Sequence, residues 1–87
     1  MESATADEEE AFRAHFGRLK RLRDEGRLLI AGPCLDGALG IVVFRATSEE
    51  EARRFMEEDP TIVAGLMTGE LHPFRISLVA TGAAPAA

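Results

Sequence analysis

Phe12, Phe16, Leu19 and Leu22 recur along the chain with His15 in the same stripe. Their offsets of 0, 3, 4, 7 and 10 residues are those of one face of an α-helix, predicting a helix over residues 8 to 25. Asp7 to Glu10 sit at its start and Arg18, Lys20, Arg21 and Arg23 late in it, as the helix dipole favours. Gly26 ends it. The pattern then changes: "RLLIAGP" is a continuous apolar run, read as a short strand buried on both faces, and "LDGALG" supplies turn residues before a second strand, "IVVFRA". In "TSEEEARRFMEEDP", Ser48 and Glu51 have capping-box spacing, and Ala52, Phe55 and Met56 give a second helix its inward stripe. Pro60 ends that helix, and "TIVAGLMTG" holds one more helical turn between Pro60 and Gly65 or Gly69. "ELHPFRISLV" alternates as a final strand with His72, Phe74, Ile76 and Leu78 on one face. Residues 80–87 form a low-complexity tail expected to be disordered, which leaves a single α+β domain over residues 1–79. The order α-β-β-α-β is that of a ferredoxin-like β-α-β-β-α-β unit without its first strand, built on an antiparallel sheet.

Composition narrows the picture. A chain of 87 residues buries too small a fraction of its surface to be comfortably stable alone, so self-association is the default expectation. There is no Trp or Tyr, and five Phe supply most of the bulky core. A formal charge of −5 disfavours nucleic acid or an anionic membrane as partner and leaves a small neutral or weakly charged ligand open. Cys34 is the one cysteine and has no internal disulfide partner. No run approaches the roughly 20 apolar residues of a membrane span. The start "MESATADEEE" lacks the basic and apolar regions of a secretory signal, so the expected location is cytoplasmic.

Two residues carry candidate chemistry. His15 lies within an apolar stripe, where it is either a partly buried structural histidine bonded to a carbonyl or water, or a general base in a cleft. Asp59 puts a negative charge at the C-terminal end of a helix, against the dipole. It is equally a proper N-cap, with Pro60 at the first position of the turn that follows. These roles are compatible, because a capping aspartate keeps one oxygen free. "AGPCLDG" could offer backbone amides to a ligand but reads first as turn chemistry. Cys34, Asp36, His15 and His72 contain no closely spaced ligand pair, so neither a metal nor another cofactor is expected. Cys34 has no base nearby and reads as a small buried or turn thiol, and His72 as packing on the sheet beside Phe74. The basic cluster from Arg18 to Arg27 reads as the solvated face of the first helix.

The ordered set "AHFGRLKRL", "GRLLIAGP", "SEEEARRFMEEDP" and "AGLMTGELHPF", over residues 11 to 76, resembles the YciI-like (YCII-related) family of the dimeric α+β barrel superfamily. The resemblance implies a ferredoxin-like protomer whose sheet pairs with that of a second protomer, with a ligand cleft beside each sheet. The family's site histidine on the first helix matches His15, its Asp-Pro aspartate matches Asp59, and its Gly-Pro turn matches Gly32 and Pro33 as substrate-binding positions. The chain departs from the family at its start. Family members carry a central first strand, whereas "MESATAD" is short and polar. Either the strand lies upstream of this start, or the last strand pairs differently, or a partner chain fills the gap.

Two functions follow from this resemblance. One is a cofactor-independent small-molecule enzyme of lyase or isomerase type, with His15 and Asp59 moving a proton. The other is a non-catalytic dimeric module that binds a ligand or protein, in which His15 is structural and His15→Leu folds at least as well as the parent.

Overall fold

The computed structural model describes residues 5–80. The first helix, α1 (Ala6–Asp24), is closed at both ends by its own sequence. Thr5 is the N-cap: its hydroxyl accepts from the Glu8 N–H at 3.1 Å, and the Glu8 carboxylate accepts from the Thr5 N–H at 2.8 Å. At the other end Gly26 has a φ of 77°, and the N–H groups of Gly26 and Arg27 return to the carbonyls of Arg23 and Leu22. That is a Schellman closure, and only glycine takes the left-handed position without strain.

Strand β1 (Leu28–Pro33) pairs antiparallel with β2 (Gly40–Phe44), from Leu28 opposite Phe44 to Pro33 opposite Gly40, with an irregularity between Leu28 and Ile30. The hairpin between them turns at Gly37, whose N–H bonds to the Cys34 carbonyl, while the Asp36 carboxylate accepts from the Ala38 N–H. Ser48 then caps α2 (Glu49–Glu57) by accepting from the Glu51 N–H, as the sequence predicts. One short turn, α3 (Pro60–Val63), follows Asp59 and ends at Gly65 in a second Schellman closure.

The core is small. Leu19 and Leu22 from α1 and Phe55 from α2 are its buried apolar residues, and Phe55 stacks on Phe44 of β2 with ring centroids 4.1 Å apart. Burying side chains of this size contributes roughly 1.5–3 kcal/mol each. This stack ties α2 to the sheet.

The architecture is α+β with an antiparallel two-stranded sheet, compatible with a ferredoxin-like fold, but its order is α-β-β-α-α. The final strand expected over residues 70–79 does not form, and residues 70–80 carry neither helix nor strand. Alternation specifies a face, whereas a strand also needs a neighbour's backbone to bond to. Phe74 and Leu78 are accordingly 73% and 94% exposed, and His72 faces solvent rather than packing on the sheet. The same shortage of layers corrects the expectation for β1: its apolar run is not buried on both faces, and Ile30 is 63% exposed. The polar start before Thr5 and the tail beyond Ala80 lie outside the described residues.

Candidate functional site

Helical spacing puts His15 and Arg18, three residues apart, on the same side of α1. Opposite them is the corner between α2 and α3. Glu58 closes α2, Pro60 begins α3, and Asp59 between them is held extended at φ −61° and ψ 130°, the conformation that a following proline favours. The two carboxylate oxygens of Asp59 then divide their work. Oδ1 accepts from the Thr61 backbone N–H at 2.9 Å and from the Thr61 hydroxyl at 2.5 Å, which caps α3. Oδ2 lies 2.6 Å from Nδ1 of His15.

Asp59 therefore caps α3 with one oxygen and meets His15 with the other. Thr61 is only 1% exposed, and the side chains of His15 and Asp59 are largely enclosed, so these bonds are shielded from water. Burial alone would raise the Asp59 carboxyl. The hydrogen bonds from the Thr61 hydroxyl, His15 and the Thr61 N–H, with the charge of His15, outweigh it and hold the carboxyl below its ordinary value. An ionised carboxylate facing Nδ1 makes that nitrogen the donor. Phe16 meets the ring edge-on at 5.8 Å. A ring held in one orientation by a carboxylate is a feature that general-base chemistry uses.

Arg18 corrects the expectation that the basic cluster is wholly solvated. Its side chain is 15% exposed, with the guanidinium 4.3 Å above the Phe55 ring. Lys20, Arg21 and Arg23 do face outward. Arg18 and Phe55 also line a groove of about 310 Å³ between α1 and α2, whose walls mix arginines (Arg21, Arg27, Arg54) with glutamates (Glu25, Glu51, Glu58) and include neither His15 nor Asp59.

Gly32 and Pro33 are not brought to the pair. They lie at the end of β1 in a second, shallow groove with Ile30, Ala31 and Ile41, whose lining includes neither His15 nor Asp59. Cys34 is a free thiol, half-buried in the hairpin. Among the described residues no three His, Cys, Asp or Glu side chains gather in a group able to hold a metal ion. Thr61 was beyond the sequence argument: an N-cap at Asp59 implies the bond to its backbone N–H, but nothing in the residue pattern fixes its hydroxyl on the same oxygen.

The profile of the YCII-related domain matches residues 1–75, a span that contains His15, Gly32, Pro33 and Asp59. The chain belongs to the YCII-related family. Among members of curated identity, Protein YciI of Escherichia coli O6:H1 and Protein YciI of Shigella flexneri are each 41% identical to it over 63 residues. That alignment takes in 61% of this chain and 64% of each relative, so this YCII-related chain spans less than two thirds of their length. No solved structure matches.

Proposed function

We propose that this YCII-related chain is a small-molecule enzyme of lyase or isomerase type in which His15 and Asp59 move a proton. The observation that carries the proposal is the 2.6 Å contact between Nδ1 of His15 and Oδ2 of Asp59, with Asp59 anchored through its other oxygen by Thr61. In this mechanism Nε2 of His15 takes a proton from a C–H or O–H group of the substrate. The imidazolium that forms is stabilised by the adjacent carboxylate, and the proton returns to a different atom of the substrate or to the leaving group. No redox partner is needed for such a step. Gly32 and Pro33 belong to the proposal only as walls of the separate groove beside β1, and a homodimer belongs to it because a ladder of two strands needs further partners. A cytoplasmic location belongs to the proposal as well.

The test is turnover on a panel of small cyclic and aromatic compounds bearing an acidic C–H, with proton exchange into deuterated solvent as the readout. His15→Ala should lose about 10²- to 10⁴-fold in rate. Equal exchange by parent and variant on a confirmed substrate would remove the proton-transfer role.

A second reading has its own support. Phe16, Ile30, Ile41 and Leu39 are large apolar side chains exposed to solvent, which fits a module that binds another chain or an apolar ligand without turnover. Binding that persists unchanged in His15→Ala, without any exchange in the parent, would select it.

A further inference from the structure

Arg18 is the unusual group beside the pair. Arginine on a helix surface ordinarily carries its charge out to water, yet here Nη1 is sealed from solvent and has no hydrogen-bond partner among the described residues. Stacking on Phe55 holds the guanidinium in place, with Arg27 approaching the same ring at 5.9 Å. Nη1 lies 3.9 Å from Oδ2 of Asp59, and Nη2 lies 3.9 Å from Oε1 of Glu58. Those distances exceed a hydrogen bond, so any effect of Arg18 on the two carboxylates is that of a nearby charge.

Glu58 and Asp59 are adjacent acidic residues at the C-terminal end of α2, where the helix dipole is itself negative. The charged and titratable groups facing Asp59 are His15 and Arg18 from α1 and Glu58 from the end of α2, while Thr61 from α3 contributes neutral donors. Arg18 brings to that set a positive charge that does not titrate.

We propose that Arg18 is a positioning residue of the His15–Asp59 pair: its enclosed guanidinium offsets Glu58 and the α2 terminus, so that Asp59 stays ionised and able to accept the Nδ1 proton of His15. This inference rests on the reading of that pair as the working site, and extends it to a third side chain that acts through Asp59.

The test is NMR on the full chain, following the ¹³C resonance of the Asp59 carboxyl against pH and the ¹⁵N resonances of the His15 ring near neutral pH. Arg18→Met keeps an aliphatic stem over Phe55 and removes the charge; Arg18→Lys keeps the charge. The Asp59 midpoint should rise by about half a pH unit or more in Arg18→Met and return most of the way in Arg18→Lys. An unmoved midpoint in Arg18→Met overturns the role of Arg18 and leaves the pair standing. A parent ring without its proton on Nδ1 overturns the pair itself, whatever Arg18 does. Glu58→Gln, at an exposed position, covers the case in which the Arg18 variants do not fold. With Arg18 no longer shared between two carboxylates, Asp59 should titrate lower, and an unchanged midpoint there also overturns the inference.

Discussion

Asp59 is the residue at which structure and candidate chemistry meet, and its depressed carboxyl fixes a sign. Above the ordinary aspartate value of about 3.9 both folded and unfolded chains are ionised and the full stabilisation is present. As pH falls the unfolded chain takes up its proton first, so the contribution declines and is gone once the folded carboxyl has also been protonated. Acid unfolding followed by circular dichroism should therefore show a steeper loss of stability below about pH 4 in the parent than in Asp59→Asn. The geometry also revises the expectation for a structural histidine. His15→Leu leaves Oδ2 of Asp59 without its hydrogen-bond partner, so the variant should be less stable by about 1–3 kcal/mol in urea titrations rather than equal to the parent. A double-mutant cycle with Asp59→Asn should return a coupling of about 1 kcal/mol or more. At this scale the sequence was informative: His15 on the inward stripe and Asp59 before Pro60 are both visible as residue patterns. The part Arg18 plays was not, since helical spacing places it beside His15 but only the position of Phe55 decides that it stays inside.

The elements were legible where the chain carries its own stop signals. Gly26 and Gly65 both occupy left-handed positions that close a helix, and Ser48 caps α2 three residues before Glu51. Gly26→Ala should cost about 1 kcal/mol, read as a lowered thermal midpoint, because a Cβ is disfavoured at a φ of 77° even though the space around it is open. The start of α1 was also written in the chain, as Thr5 followed three residues later by Glu8, and it moves the helix boundary two residues earlier than the hydrophobic stripe does. The final strand was misread for a different reason. His72, Phe74, Ile76 and Leu78 alternate as a strand should, but their pairing depends on backbone elsewhere, and no local pattern reports whether that backbone is present.

The molecule as a whole leaves much of its apolar surface uncovered. Phe16, Ile30, Leu39 and Ile41 face solvent in the single chain, and among the described residues the buried apolar core amounts to Leu19, Leu22 and Phe55. Self-association should therefore appear in sedimentation velocity as a mass that rises with concentration, and Ile30→Lys, at a position already exposed in the protomer, should shift it toward monomer. Length alone raises the same expectation, while the shortage of covering layers needed the sheet to be seen with two strands. A last consequence follows from chain distance. His15 and Asp59 are 44 residues apart, and their contact joins the first helix to the corner beyond the second. No local segment can form it by itself, so the imidazole resonance is a built-in clock for folding: in a stopped-flow or pulse-labelling experiment it should reach its native frequency only when the two halves of the chain have met.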